Sequence, residues 1–166
     1  MRFANQRSDV LFIDPGLMGT GWAFYAKVDP VHPKPPSCYG VIKTSKNPFE
    51  VAAHDIWKQV RTLICQQQCQ LIVIEFPGLW RSGVSQASAQ TGDLFKLTYL
   101  IGGIGQVSCE TCCYPLLVSP AEWKGQLPKD IVVRRIVKHF PSLAHIKNHE
   151  ADAVGMGLAA QGILGD

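Results

Sequence analysis

Apolar residues in this chain follow two rhythms. Val10-Leu11-Phe12-Ile13 and Leu71-Ile72-Val73-Ile74 are unbroken apolar runs, closed by Asp14 and Glu75. Such runs mark strands covered on both faces. Trp22-Ala23-Phe24-Tyr25-Ala26 resumes the strand pattern after Pro15-Gly16 and Gly19-Thr20-Gly21, which predicts an antiparallel hairpin over a Gly-rich turn. Residues 29–37 carry four prolines and read as a surface loop. Residues 38–44 then form a third strand that completes a meander.

Further along, the period shifts toward about 3.6 residues. Val51, Ile56, Val60, Leu63 and Ile64 predict a helix from Pro48 to Gln68. Asn47 is its expected cap, with Pro48 in the first turn and Glu50 at capping-box spacing. A second helix is expected over 90–107; its Gly102-Gly103-x-Gly105 end is costly in a helix and implies close approach by another backbone. Leu116-Leu117-Val118 is a fifth strand and 119–127 a connection. Residues 128–140 form a helix opened by proline and stopped before Pro141. Asn148 caps a last helix running from His149 to about Leu164. The order β-β-β-α-β-α-β-α-α describes a mixed α/β fold: a five-stranded sheet, part antiparallel meander and part parallel, flanked by helices.

At 166 residues the expectation is one domain with a substantial core. A 46% hydrophobic and 17% charged composition excludes a chain disordered throughout. The formal charge of +3 permits nucleic-acid binding without demanding it. The first residues lack the apolar centre of a signal peptide, and no stretch approaches the ~20 apolar residues of a membrane span. The expectation is a soluble, cytoplasmic protein. In that compartment Cys38, Cys65, Cys69, Cys109, Cys112 and Cys113 read as free thiols. The spacings Cys65-x3-Cys69 and Cys109-x2-Cys112 also suit a structural zinc site, should the two pairs meet at one end of the sheet.

Four patches bear on chemistry. Asp14 and Glu75 end separate strands, and they would be neighbours if those strands pair in parallel. His149 and Asp152, three positions apart, share a helix face in a first turn. Lys129 lies in the turn before another helix. Glu150 lies about 100° round from His149 and reads as solvated. Each residue alone has an ordinary reading: Asp14 opens a turn, Glu75 ends a strand, His149 caps or packs, and Asp152 is a first-turn acid. Together at one predicted sheet edge they describe a cage for divalent cations. Carboxylates suit magnesium and manganese. Two such ions about 4 Å apart activate water and stabilise a leaving oxygen in phosphodiester hydrolysis. The turn Asp14-x-Gly16-x2-Gly19-x-Gly21 also has the look of a phosphate cradle of actin-like ATPases, but those need a second similar domain that this chain is too short to supply.

Phe12-Ile13-Asp14-Pro15-Gly16-x2-Gly19-Thr20-Gly21-Trp22, Ile72-Val73-Ile74-Glu75, Ser119-Pro120-x2-Trp123-Lys124 with Lys129, and His149-Glu150-Ala151-Asp152-Ala153 together resemble RuvC-type Holliday junction resolvases of the RNase H-like nuclease superfamily. The resemblance spans nearly the whole chain; its first and last segments are the more specific. It implies a homodimeric endonuclease that cuts four-way DNA junctions by symmetric nicks, with Mg2+ or, in its place, Mn2+. It implies that Asp14 bridges both metals, that Glu75 binds one, and that His149 and Asp152 complete the second site. Lys124 and Lys129 fall at lysines that meet the phosphate backbone or offset charge during cleavage. Phe76, Trp80 and Arg81 occupy the loop that inserts an aromatic near the junction centre, where Phe76 or Trp80 would stack on a base. The second helix, with Leu94, Leu97, Leu100 and Ile101, lies where the family dimerises. Arg134 and Arg135 extend the expected basic patch.

The loop after Glu75, the proline segment Pro30–Pro36 and the cysteine count depart from bacterial members. They suggest a divergent phage or mobile-element relative, in a bacterial or phage-infected cytoplasm. Two other readings stand beside this one. One is an RNase H-like nuclease acting on other branched DNA or on RNA/DNA hybrids. The other is a non-catalytic junction binder, which the intact set of Asp14, Glu75, His149 and Asp152 argues against.

Overall fold

The computed structural model describes residues 8–44, 48–77 and 92–165. Five strands, β1 (Val10–Asp14), β2 (Gly19–Tyr25), β3 (Cys38–Lys43), β4 (Leu71–Glu75) and β5 (Tyr114–Val118), form one sheet in the order β3-β2-β1-β4-β5. β1, β2 and β3 make the expected antiparallel meander, and β4 joins β1 in parallel with Ile13 beside Ile74. Asp14 and Glu75 therefore leave adjacent strands at the same carboxyl edge. β5 is parallel to β4 at the far edge, where Pro115 is tolerated.

The apolar runs are buried because the sheet is covered twice. Val10, Phe12, Ala23, Tyr25, Val73 and Val118 face α4 (Lys129–His139) and α5 (Asn148–Ala160). Leu11, Ile13, Phe24, Ile42, Ile72 and Ile74 face α1 (Phe49–Gln67) and α2 (Asp93–Glu110). The alternation follows from the two-residue strand period. Each buried Val, Leu, Ile or Phe among them contributes about 1.5–3 kcal/mol. Among the described residues no helix is long and apolar enough to cross a membrane.

Several expectations shift in detail. Ala52, Ala53, Ile56, Val60 and Ile64 form the inward stripe of α1, whereas Val51 is exposed, about 200° round from Ala53. Asn47, the expected cap, lies outside the described residues. Gly19, Thr20 and Gly21 belong to β2 and not to a turn. In α2 the glycines divide: Gly103 receives the Trp57 indole, while Gly102 and Gly105 face open space. The close neighbour is a side chain, not a backbone. A one-turn helix, α3 (Pro120–Trp123), occupies the expected connection. The Glu122 carboxylate holds its start by accepting from the Ser119 N–H (2.6 Å) and hydroxyl (2.7 Å).

α5 is buried on all sides from Ala151 to Leu158 and is built of small residues, so it lies close against the sheet. Gly157 makes room for the Tyr25 ring, whose hydroxyl donates to the Val154 carbonyl at 3.0 Å. The cap position of α5 is Lys147, one residue before the expected Asn148. The helix ends at Ala160, because Gly162 turns left-handed (φ 77°) and the N–H groups of Gly162 and Ile163 close back on Ala159 and Leu158. Leu164, expected inside the helix, is a core residue beyond it. Gln161, also buried, clamps the proline loop. Its side-chain oxygen accepts from the Lys34 N–H (2.7 Å), and its amide donates to the carbonyls of Lys34 (3.1 Å) and Gly157 (3.3 Å).

All six cysteines are free. Burial pushes the Cys69 and Cys113 thiols up to about 12 and about 11, which keeps them protonated as small core residues.

Candidate active site

The site is built at the carboxyl edge of β1 and β4, where open sheets present their ligand positions. Asp14, the last residue of β1, is buried and accepts a hydrogen bond from His149 Nδ1 at 2.6 Å. Two glycines make that contact possible. Gly21 sits opposite Asp14 in the β1–β2 ladder, and a Cβ there would collide with the His149 backbone. A Cβ at Gly16 would press on the His149 ring. The missing side chains let the first turn of α5 rest on the sheet beside Asp14. Burial holds the Asp14 carboxyl above the usual range, and the bond from His149 opposes it. That same bond raises the His149 imidazole. With Nδ1 turned to Asp14, Nε2 is left over Gly16.

Glu75, the last residue of β4, accepts from Trp123 Nε1 at 2.7 Å. Burial, reinforced by the charge of Asp14, pushes its carboxyl up to about 7, against the pull of Lys124 and Trp123. Asp152, on the second turn of α5, is buried between two ammonium groups: Lys129 Nζ lies 2.6 Å from one oxygen and Lys124 Nζ 3.5 Å from the other. The charge of Asp152 acts on both Asp14 and Glu75.

Asp14, Glu75, His149, Asp152, Lys124 and Lys129 thus gather in one cluster from five separate segments. Lys129 opens α4 instead of lying in a turn. Glu150, beside His149, is half-buried. Phe76 follows Glu75 directly and is 37% exposed, so it is not a core residue. Trp80 and Arg81 lie outside the described residues. Arg134 pairs with Asp130, and Arg135 donates to the Leu164 carbonyl, so both have local partners. On α2, Leu100 and Ile101 are buried and Leu97 packs against the same core. The outward stripe is instead Phe95, Tyr99, Gly102, Gln106 and Cys109. Sequence reasoning placed Trp123 and Gly21 only within motifs and foresaw neither the bond to Glu75 nor the approach of α5. A buried indole N–H needs an acceptor, but nothing along the chain says which one it finds.

The donor chemistry fits hard divalent cations. Three carboxylates and one imidazole suit manganese or magnesium, and two of the carboxyls are held at raised values that a cation would relieve. In this arrangement each of the three carboxylates is engaged by an N–H or ammonium partner. Among the described residues no three His, Cys, Asp or Glu side chains are closed around a single ion position. The same holds for the cysteine pairs.

No protein-family model matches the sequence, and no curated protein is similar to it. Solved structures are. A Thermus thermophilus RuvC, determined in complex with a Holliday junction substrate, has a TM-score of 0.70 at 19% identity, covering 92% of this chain and 91% of its own. The yeast mitochondrial Holliday junction resolvase scores 0.60 at 16% identity, over 98% of this chain and 82% of that one. A fowlpox virus resolvase, solved with Holliday junction DNA, scores 0.58 at 12% identity, over 93% and 97%.

The chain has the RNase H-like fold of these resolvases. In that fold the cluster occupies one edge, formed where the meander meets the parallel strands, with both sheet faces closed by helices.

Proposed function

We propose that this RNase H-like chain is a divalent-metal-dependent endonuclease that resolves four-way DNA junctions by paired nicks, working as a homodimer. One observation carries the reading: Asp14, Glu75, His149 and Asp152 meet at one sheet edge, flanked by Lys124 and Lys129. A binding module has no need to bury like charges side by side, at the cost such burial brings. The resolvase neighbours, two of them solved with junction DNA, support the substrate class.

Asp14, Glu75, His149 and Asp152 would hold magnesium or manganese. When bound, such ions supply an activated water and charge for the leaving oxygen. The chain's own residues do the rest. Asp14 orients the imidazole through Nδ1. Lys124 and Lys129, now on Asp152, bring positive charge to a scissile phosphate. Phe76 offers an exposed ring beside Glu75 for base stacking. Two nicks require two sites, and the exposed stripe of α2, with Phe95 72% and Tyr99 53% exposed, offers a self-complementary face.

The test is cleavage of synthetic four-way, flap and RNA/DNA hybrid substrates in Mg2+ or Mn2+. The four-way junction is the expected substrate. Asp14→Asn should abolish nicking and preserve junction binding. Cutting of hybrids alone, or wild-type nicking by Asp14→Asn, would overturn the reading.

A further inference from the structure

Trp123 makes three contacts that together reach both halves of the cluster. Its indole edge donates from Nε1 to Glu75 Oε2 at 2.7 Å. Its face carries Lys124, whose Nζ lies 4.7 Å from the ring centroid and 3.5 Å from Asp152. Its far edge fills a gap in α5: a Cβ at Gly155 would come within 2.8 Å of the ring. The side chain is only 5% exposed, and it closes a one-turn helix whose start is fixed by the Ser119–Glu122 bonds.

An indole N–H can only donate, so it satisfies one lone pair of Glu75 and competes for no cation. A carboxylate tied at one oxygen keeps the other oriented for a metal, and such supporting hydrogen bonds commonly govern affinity. Packing around Trp123 leaves the ring little freedom to release Glu75. The ring face, held by the same packing, keeps Lys124 against Asp152.

We propose that Trp123 is a positioning residue: its indole N–H presets the Glu75 carboxylate for a divalent cation, while its ring seats Lys124 beside Asp152. The inference rests on the nuclease reading above and adds to it a residue outside the candidate ligand set.

Two replacements separate the N–H from the shape. Trp123→Phe removes the donor and part of the ring. β-(3-Benzothienyl)alanine, incorporated at position 123 alone, keeps the bicyclic volume and lacks the N–H. Mn2+ binding is read directly from the electron paramagnetic resonance signal of the free ion, beside kcat and KM on a four-way junction. Both replacements should weaken Mn2+ binding about tenfold, the lower end of the effect of such supporting contacts. KM for the junction should stay at the wild-type value, and kcat lost at limiting Mn2+ should return in excess Mn2+. The benzothienyl chain decides the matter if Trp123→Phe does not fold. Wild-type Mn2+ affinity in that chain, with the wild type itself binding Mn2+ and nicking, overturns the role of Trp123 alone. A wild-type protein that takes up no Mn2+ removes the nuclease reading and this inference with it.

Discussion

Asp14, Glu75 and His149 all bind protons more tightly in the fold than in the unfolded chain, and their effects on stability share a sign. Glu75 holds its proton to about 7 when folded but loses it near 4.5 when unfolded, so stability falls as pH rises across that window. Asp14 acts in the same direction from 3.8 upward. His149, raised above 6.5 by its bond to Asp14, adds stability that is full below 6.5 and is lost as pH climbs through its folded value. The metal-free protein should therefore melt at a higher temperature at about pH 5 than at about pH 8, with Glu75 contributing on the order of 3 kcal/mol. Glu75→Gln should flatten the profile in calorimetry, and Mn2+ added at the higher pH should recover most of the loss. A wild-type profile without slope would mean that burial does not raise the two strand-end carboxyls.

At the scale of elements, the site depends on how closely α5 approaches β2, and that approach is set by an absent side chain. Gly21→Val should wedge the first turn of α5 away from Asp14, costing about 1–3 kcal/mol in urea unfolding and most of the nicking rate. Gly102→Ala, on a helix position facing open space, should instead stabilise by roughly 0.5–1 kcal/mol. Equal losses from both changes would contradict this account. The same contrast explains what the sequence could convey. Leu71–Glu75 declared a central strand because four successive aliphatics have no other comfortable place. The sequence left the pairing of that strand with Val10–Asp14 as a condition, and the parallel β1–β4 ladder meets it and sets Asp14 beside Glu75. Gly19–Gly21, by contrast, reads the same whether it turns or lets a helix come near, since only the third dimension supplies the neighbour. α3 was visible in principle from Ser119-Pro120-x-Glu122, a capping signal in a stretch too short to show a period. The indole bond to Glu75 spans 48 residues and left no local trace.

For the whole molecule, the proposed paired nicks need two sites held in fixed relation. The outward stripe of α2 carries large apolar rings at Phe95 and Tyr99 and no bulk at Gly102, a surface suited to a second copy of itself. Phe95→Glu should convert a dimer into a monomer in sedimentation, and junctions should then be nicked on one strand at a time. A protein already monomeric at micromolar concentration while still resolving junctions in a coordinated way would reject that arrangement. The Gln161 clamp joins distant parts of the chain: a loop near the front is latched to the end of the last helix by a side chain with no water to fall back on. Trimming that proline loop would strand the amide in the interior, so the loop and the tail have to change together or not at all.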